Sequence, residues 1–483
     1  MSLLAGASVA ALFLVGKFLT APELRAAAPA TDAVLGSAAL EGATFTVEAS
    51  GGALKGARWR LDGVDVSTRA ASTGTRGTLT LAALSEGEHS LVVSSSGSLP
   101  WSSASVRWDF SVDATPPQLT VPPTSLAAER GQPYELTGTV ESGATLLLYG
   151  NDVPLVDGAF ALSFEKPPSR ALEFVARDAA GNESAHRLEI SIIPRQPDAP
   201  VRGVHVSAAA WSNAELRSEI LRLVDEGLIN TVELDLKDEL GEIGYASEVE
   251  LGKQAGATRS YYDLKEAVAL LHGKGVRVIG RLVAFRDPIL VEWAWAAGRR
   301  GLVVQSPDGA PYAAYGGFSN PASSRVRQYN IDIAEEAAQA GVDDILYDYV
   351  RRPDGPLETM VFPGIDTSLE ATVIQFLEET EARLDPYGTF IGASVFGIAA
   401  LRPQDVAQNV ERIADHVDYV SPMVYPSHWS SGVYDVASPD SEPYAIVRRS
   451  LEDFGGKVEG RGARLIPWLQ DFSIGVPYGP AEV

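Results

Sequence analysis

The sequence predicts a multidomain protein in which two small all-β sandwiches precede an α/β barrel of the (β/α)8 type. Three observations carry this prediction. Residues from about 32 to 195 form short runs of alternating apolar and polar residues, separated by turns. Two proline-rich segments, at 113–117 and 194–200, interrupt the chain. After residue 201, strand-like apolar runs alternate with amphipathic helical stretches, which indicates a parallel sheet.

The first thirty residues are predicted to direct export, either as a signal peptide or as an uncleaved N-terminal membrane anchor. Leu3 to Gly16 is an uninterrupted run of apolar and small residues, and an Ala-rich stretch at 26–30 follows it. The run is shorter than the roughly 18 residues that a membrane span needs, and small residues stand where a signal peptidase would cut. We therefore expect an exported protein of the cell envelope or the extracellular space, which residues 1–30 would tether to the membrane if uncleaved.

The composition excludes several classes of function. The chain has 483 residues, a formal net charge of −24, six histidines and no cysteine. An acidic surface repels phosphate backbones, so nucleic acid is not an expected partner. Without Cys there are no disulfides, thiol nucleophiles or cysteine-ligated zinc. Because no His-x-His or His-Glu-x-x-His spacing occurs, metal-dependent hydrolysis is the weaker hypothesis, and we expect neither a metal ion nor another cofactor.

The two sandwiches are predicted over residues 31–115 and 116–196. Turns separate runs of period two, as in sandwich strands; the runs are 43–48, 57–61, 78–81, 89–93, 105–112, 134–140, 145–149, 158–164 and 172–177. Asp178 with Gly181-Asn182 is expected to form a turn. The segment from Leu172 to Asn182 resembles the penultimate strand and turn of bacterial immunoglobulin-like repeats. Both domains are therefore expected to be immunoglobulin-like, and spacers rather than glycan-binding modules.

The barrel is predicted over residues 201–483. Its strands are Gly203–Ser207, Thr231–Glu239, Val276–Phe285, Asp343–Arg351, Phe390–Gly397, Asp418–Pro426 and Arg464–Phe472. Capping-box patterns at Ser212–Glu215 and Asp263–Glu266 predict helix starts. A (β/α)8 barrel has eight strands and about 250 residues. Because only seven strands are found, we expect that the last βα unit is missing from this sequence.

The second predicted strand carries charges where a strand covered on both faces should be apolar. Alternation places Glu233, Asp235 and Lys237 on one side of it. Such charges are costly unless they are paired or functional. A salt-bridge ladder inside the barrel and a functional site that includes Asp235 or Asp238 both remain open.

Asp348 lies near the end of the fourth predicted strand, with Tyr349 and Arg351 beside it. The carboxyl ends of barrel strands meet at one face, where functional residues collect. An isolated carboxylate there would have a raised pKa, and a cation such as Arg351 or Lys237 would keep it ionised. The alternative is that Asp348 only forms a turn or caps a helix.

Several other strand ends carry polar or aromatic residues. Tyrosine and tryptophan combine a flat apolar face with a polar edge, which suits sugar rings. The remaining candidates are His205, Arg281, Tyr425, Trp468, Gln470 and Asp471.

Six segments of this region resemble a largely uncharacterised bacterial family of glycoside-hydrolase type with a TIM-barrel domain. The segments are Gly203–Ala208, Asp235–Tyr245, Ile279–Pro288, Asp344–Pro353, Val420–Trp429 and Trp468–Phe472. They follow one another in order on the predicted strands and cover about 201–483. The resemblance implies a fold and a reaction class, and its members normally continue through one more strand and helix.

The resemblance implies hydrolysis of an envelope or extracellular polysaccharide by paired carboxylates. Asp348 would be the nucleophile or base, or would stabilise a substrate acetamido group. The proton donor would be Asp238, Asp235 or Asp471. Sugar would be held by eight residues: His205, Lys237, Arg281, Tyr349, Arg351, Tyr425, Trp468 and Gln470.

The sequence also departs from better understood hydrolases. Amylase-type barrels carry a Glu on the fifth strand, where Phe390–Gly397 has no carboxylate. Chitinase-type barrels carry a Glu two residues after the fourth-strand Asp, where this chain has Val350. These departures favour an alternative hypothesis, a non-catalytic glycan-binding or wall-associated protein on a degenerate hydrolase barrel.

Overall fold

The computed structural model describes residues 21–54, 56–81, 84–97, 102–122, 126–168, 171–197 and 199–483. They divide into two compact units. The first comprises the described residues within Met1–Leu126, Tyr134–Phe164 and Arg170–Glu189. The second comprises Ala127–Pro133 and the described residues within Glu165–Ser169 and Ile190–Val483. Residues 1–20 of the predicted export segment lie outside the described residues.

Short strands dominate the described residues up to 193, and among these residues one short α-helix, α1 (Ser37–Leu40), accompanies them. In chain order the strands are β1 (Glu23–Ala28), β2 (Val34–Leu35), β3 (Thr44–Ser50), β4 (Arg58–Leu61), β5 (Val64–Asp65), β6 (Ala70–Thr73), β7 (Arg76–Thr80), β8 (Gly87–Ser96), β9 (Ser103–Val112), β10 (Leu119–Thr120), β11 (Leu126–Glu129), β12 (Tyr134–Val140), β13 (Thr145–Leu148), β14 (Asn151–Asp152), β15 (Ala159–Phe164), β16 (Leu172–Arg177), β17 (Glu183–Leu188) and β18 (Ile190–Ile193). A strand is present at each of the nine runs predicted from period two.

The strands before residue 113 form two sheets that pack face to face. Their orders are β1-β3-β7-β6 and β2-β9-β8-β4-β5. The alternating apolar residues of both sheets meet in one core, which includes Phe45, Trp59, Leu91 and Trp108. The rings of Phe45 and Trp108 are in edge contact, with 5.8 Å between their centroids. Burial of these alternating side chains is the physical basis of the predicted pattern.

Strand β1 corrects the predicted start of this region at residue 31. Its residues pair antiparallel with β3, from Glu23 opposite Ser50 to Ala28 opposite Thr46. Leu24 and Ala26 pack against the core. Buried and exposed side chains therefore alternate along β1, as they do in the neighbouring strands, and part of the Ala-rich stretch belongs to the folded sheet. Cleavage after residue 30 would remove an edge strand from the first sheet.

The strands from β10 to β17, apart from β11, form a second pair of sheets, with orders β10-β12-β15 and β14-β13-β16-β17. The rings of Phe160 and Phe174 join the sheets, with centroids 5.6 Å apart. The predicted turn is present: Asn182 N–H donates to Asp178 Oδ1 at 2.8 Å, and Gly181 has φ +89°. Its left-handed backbone explains why glycine is needed at that position.

The second unit contains the predicted alternation of strands and helices. Its remaining strands are β19 (Gly203–Val206), β20 (Thr231–Lys237), β21 (Ile243–Tyr245), β22 (Thr258–Tyr262), β23 (Arg277–Val283), β24 (Asp344–Asp348), β25 (Phe390–Phe396), β26 (Tyr419–Met423) and β27 (Arg464–Leu465). Its helices are α2 (Ala208–Ser212), α3 (Ala214–Asp225), α4 (Glu250–Ala255), α5 (Leu264–His272), α6 (Pro288–Ala296), α7 (Ser324–Gln339), α8 (Leu369–Leu384), α9 (Val410–Ala414) and α10 (Pro443–Val458).

Seven of these strands form a parallel sheet in the order β19-β20-β23-β24-β25-β26-β27, with β21 and β22 attached beside β20. All seven predicted strands are present, although β27 is shorter than predicted and adds only one further bridge, between Trp468 and Met423. Among the described residues no ladder joins β19 to β27. The two ends of the sheet nevertheless approach each other, which shows that the sheet curls. The ring of His205, on β19, lies 5.6 Å from the ring of Trp468, just after β27.

The helix starts follow local side-chain chemistry. Asp263 accepts a hydrogen bond from Glu266 N–H at 2.9 Å, as its capping pattern predicts. The predicted start at Ser212 is one residue early: Asn213 caps α3, while Ser212 donates to the carbonyl of Ala209 and closes α2. Within the part of the chain that the structure describes, no helix combines the length and apolar character that crossing a bilayer requires.

Candidate functional site

A cavity of about 1410 Å³ opens at the carboxyl ends of the parallel strands. Because these strands run in one direction, side chains from distant parts of the sequence meet there. The cavity also reaches down to Gly203 and Thr231, at the starts of β19 and β20. Eight predicted site residues line it: His205, Arg281, Asp348, Tyr349, Arg351, Tyr425, Trp468 and Asp471.

Arg281 lines this cavity and binds three carboxylates, of which Asp235 is not itself a lining residue. It lies on β23, in register with Asp235 of β20. Its Nη1 donates to Asp235 Oδ1 at 2.8 Å, and its Nη2 donates to Asp348 Oδ2 at 2.6 Å. Glu239, just beyond β20, also accepts from Nη2. Burial lowers the pKa of Arg281, but the three carboxylates outweigh it and raise that pKa well above its usual value.

Asp235 is held by Arg281 and His205. Its Oδ1 lies 2.9 Å from His205 Nε2, in addition to its bond from Arg281. Burial alone would raise the pKa of Asp235, but the hydrogen bond from His205 and the charge of Arg281 lower it. Burial likewise opposes protonation of His205, and the hydrogen bond and charge of Asp235 raise its pKa. Asp235 is therefore an ionised anchor, and this environment does not suit the predicted role of proton donor.

Asp348 is the carboxylate at the end of β24. Besides Arg281, it accepts a hydrogen bond at Oδ1 from the N–H of Tyr349 at 2.7 Å. Tyr349 has φ 51°, a left-handed backbone that costs a non-glycine residue of the order of 1–2 kcal/mol. The sequence suggested Lys237 or Arg351 as the cation beside Asp348, but the structure pairs Asp348 with Arg281.

Glu233 lines the cavity and lies two residues before Asp235 on β20. Only 12% of its side chain is exposed, and its Oε1 lies 4.0 Å from Arg281 Nε. Among the described residues Oε1 has no hydrogen-bond partner. Burial raises the pKa of Glu233 to about 8, although the cations His205 and Arg281 oppose the shift. Glu233 is therefore mostly protonated at neutral pH.

Two predicted residues, Lys237 and Asp238, take structural positions instead. Lys237 is fully buried away from the cavity, where Nζ donates to Asp287 at 2.9 Å and to Asn330 at 2.8 Å. A register shift between Asp235 and Lys237 breaks the alternation that placed them on one side. Asp238 Oδ1 accepts the N–H groups of residues 240 and 242, each at 2.9 Å, and so builds a turn.

Gln470 likewise connects loops and does not line the cavity. Its Oε1 accepts from the N–H and hydroxyl groups of Ser427, and its Nε2 donates to the carbonyl of Phe472. This amide therefore joins the segment after β26 to the segment after β27. Asp471, one residue later, is exposed at the cavity rim.

The aromatic residues of the rim are fixed by their neighbours. Trp468 Nε1 donates to Ser394 Oγ at 3.0 Å. Burial, together with the charges of Asp348 and Glu233, raises the pKa of Tyr425, so its hydroxyl remains a hydrogen-bond donor. Arg351 is stacked on Phe396, with 4.3 Å between Cζ and the ring centroid, and donates to Asp354 at 2.5 Å.

Sequence reasoning did not assign a site role to Glu233 or Glu239. The signal for Glu233 was present, because it lies two residues before Asp235 on the same strand face. Its protonation depends on burial by residues from several strands, which no local pattern reveals. In the described ranges no group of three or more His, Asp or Glu side chains is arranged to hold a metal ion.

Comparison with solved structures gives low overall similarity. A hypothetical protein from Ruminiclostridium thermocellum is 26% identical, with a TM-score of 0.36 over 39% of this chain and 96% of that one. The PgaB (BpsB) glycoside hydrolase domain from Bordetella bronchiseptica is 15% identical, with a TM-score of 0.37 over 53% and 82%. An α-galactosidase from Thermus thermophilus is 11% identical, with a TM-score of 0.37 over 72% and 66%.

Comparison with sequences is more specific. No curated protein matches this chain. The profile of one family, described as "Putative glycosyl hydrolase domain", matches residues 203–483. The match spans more than half of the chain and contains Arg281 with its three carboxylate partners. The chain therefore belongs to this glycosyl hydrolase family.

Proposed function

We propose that the second unit hydrolyses glycosidic bonds of an envelope or extracellular polysaccharide, with Asp348 as the principal catalytic carboxylate. The observation that carries this proposal is that two carboxyl groups in different environments, those of Asp348 and Glu233, line the same cavity. Asp348 accepts hydrogen bonds from Arg281 and Tyr349, as an ionised carboxylate does. The pKa of Glu233 is raised to about 8 by burial. One ionised and one protonated carboxyl group is the combination that glycoside hydrolysis requires.

The chemistry can be assigned to these groups step by step. Glu233 donates its proton to the glycosidic oxygen as the bond to the anomeric carbon breaks. Asp348 either bonds to that carbon or removes a proton from the attacking water. Arg281 is a positioning residue, because it fixes Asp348 and Asp235 through one guanidinium group. Tyr425 and Trp468 supply the sugar-facing surface of the rim.

We further propose that the curled parallel sheet belongs to a (β/α)8 barrel of the TIM type. Seven parallel strands with intervening helices, and a cavity at their carboxyl ends, support this assignment. The two pairs of face-to-face sheets in the first unit support two immunoglobulin-like domains.

Hydrolysis is tested with the purified protein and a panel of polysaccharides: chitin, chitosan, xylan, laminarin and peptidoglycan. New reducing ends should appear with at least one polymer, and Asp348→Asn should abolish them while the protein stays folded. The matched control is Asp366→Asn, at an exposed aspartate outside the cavity. If Asp348→Asn retains full specific activity on a cleaved polymer, Asp348 is not the catalytic carboxylate.

One observation favours the second candidate, a non-catalytic glycan-binding protein. Both oxygens of Asp348 already accept hydrogen bonds from the protein, as in a structural ion pair. Under this alternative, polysaccharide binds the cavity without release of reducing ends. Binding without turnover across the whole panel would favour it over hydrolysis.

We propose that residues 1–30 direct export to the cell envelope or beyond. The apolar run from Leu3 to Gly16 supports this proposal. Fusion of these residues to a reporter that is active only outside the cytoplasm should give activity. If the fusion protein is inactive and is recovered only in the cytoplasmic fraction, residues 1–30 do not direct export.

A further inference from the structure

The cavity continues at its rim into an aromatic surface that includes Tyr315. The ring of Tyr315 meets the ring of Tyr349 edge-on, with 6.5 Å between centroids, and Tyr349 lines the cavity. Tyr315 itself is 40% exposed. We name these two residues the first platform. It extends the aromatic rim beyond the cavity, next to the end of β24.

The first platform is fixed in place before any ligand binds. Arg286 Nε donates to the carbonyl of Tyr315 at 3.2 Å, and its Nη1 donates to the hydroxyl of Tyr349 at 3.0 Å. The hydroxyl of Tyr315 donates to Asp354, which also accepts from Arg351. A ring that is already ordered loses little conformational entropy on binding. These contacts therefore suit a rigid surface that receives a flat partner.

Backbone conformation adds a second, independent observation. Both tyrosines have left-handed backbones, with φ 55° at Tyr315 and φ 51° at Tyr349. Glycine would adopt this conformation without the cost that a β-carbon imposes. The two strained positions of this surface thus carry large aromatic side chains, one of them substantially exposed.

A corresponding surface is formed by the segments that follow β26 and β27. The rings of Tyr425 and Phe472 meet edge-on with 5.3 Å between centroids, and both line the cavity. Phe472 is 37% exposed. We name these two residues the second platform. Asp348 and Glu233 line the same cavity, so this platform lies near the carboxylates as well.

We infer that the two platforms flank the carboxylates and hold a polysaccharide chain by its internal residues, with sugar rings stacked on Tyr315 and Phe472. Aromatic faces bind the apolar faces of sugar rings, while rim hydroxyls bind the sugar hydroxyls. A site that accepts only a chain end would need no sugar-facing surface on both sides. Internal cleavage rests on the proposed hydrolysis, whereas binding by the platforms does not.

Binding is tested in the full chain by gel electrophoresis through glycol chitin, chitosan, xylan or laminarin, with Asp348→Asn as the parent to prevent cleavage. At least one polymer should retard the parent. Tyr315→Gly removes the ring and relaxes the backbone, and should weaken retardation about fivefold, as should Phe472→Ala. Tyr315→Phe keeps the ring and should remain within about twofold. Tyr444→Ala, at a tyrosine 77% exposed and outside the cavity, is the control and should have no effect.

The outcomes separate this inference from the proposed hydrolysis. If a polymer retards the parent and neither Tyr315→Gly nor Phe472→Ala weakens that retardation, the two platforms do not bind polysaccharide. This holds even if the native protein cleaves the polymer. Absence of retardation in all four gels would overturn them too. Retardation that both variants lose would support them, even without cleavage. Where the native protein cleaves, early loss of viscosity supports internal cleavage, and release of single sugars at constant viscosity contradicts it.

Discussion

Oδ1 of Asp235 lies 2.9 Å from Nε2 of His205. The same oxygen accepts the Nη1 hydrogen of Arg281, which also binds Asp348. Asp235 thus fixes the guanidinium that fixes Asp348. Asp235 therefore stabilises the Arg281–Asp348 ion pair, and its contribution to the free energy of unfolding depends on the protonation of both Asp235 and His205.

Asp235→Asn should destabilise the second unit most strongly between about pH 4 and pH 6.5. The lowered pKa of Asp235 gives stability that is present above its unfolded value and lost as pH falls through the folded one. The raised pKa of His205 gives stability that is present below its unfolded value and lost as pH rises through the folded one. Breaking such a buried pair costs about 3–5 kcal/mol. Urea unfolding at several pH values checks this, and a pH-independent loss would contradict it.

Glu233→Gln should be more stable than the native protein at pH 8, and this advantage should be smaller at pH 5. The pKa of Glu233 rises from an ordinary 4.5 to about 8 on folding, chiefly through burial. Between these values the unfolded state releases its proton and the folded state keeps it, so native stability falls by up to about 1.4 kcal/mol per pH unit. Glutamine does not titrate and removes this slope.

The measurement is the thermal midpoint of native and variant proteins from pH 5 to pH 8. Glu292→Gln, at an exposed glutamate of α6 outside the cavity, is the control and should leave the slope unchanged. Parallel pH profiles for the native protein and Glu233→Gln would mean that Glu233 titrates normally.

The strands could be predicted because each pattern depends on local burial. Period two located nine of the strands before residue 193, and apolar runs located all seven strands of the parallel sheet. Asp348 was identifiable because it ends an apolar strand, and the cavity does lie there. Strand β1 was missed because an Ala-rich stretch after an apolar run has the composition of a cleavage site.

The site was harder to predict, because its chemistry depends on contacts between strands. Arg281 was expected to hold sugar, but it binds Asp235 and Asp348, far away in sequence. Lys237 was placed beside Asp235 by simple alternation, which a one-residue register shift overturns. The pKa of Glu233 reflects its enclosure by neighbouring strands, and a single strand cannot show that enclosure.

Lys237→Met should destabilise the second unit by about 3–5 kcal/mol, because it leaves Asp287 buried without its cation. The double variant Lys237→Met with Asp287→Leu should recover much of this loss, since it removes both buried charges. Urea unfolding measures both variants. Polysaccharide binding of the folded fraction should stay unchanged, because Lys237 does not line the cavity. If a fully folded double variant binds polysaccharide more weakly, Lys237 does contribute to the binding site.

The proton donor can be identified by substrates that need no proton. Glu233→Gln should lower the rate on a polysaccharide by about 100-fold or more, because the glycosidic oxygen then leaves as an unprotonated alkoxide. On an aryl glycoside with a strongly acidic phenol, the same variant should retain most of its activity, since that leaving group departs without assistance. Asp348→Asn should lose activity on both substrates, because the attack on the anomeric carbon is impaired in each case. The high-pH limb of the rate profile, which reports the acid, should lie near the raised pKa of Glu233, about 8, and disappear in Glu233→Gln. Asp471→Asn is the competing assignment, because Asp471 is exposed at the rim of the same cavity. If Asp471→Asn shows the selective loss and Glu233→Gln does not, the proton comes from the rim and Glu233 only shapes the cavity.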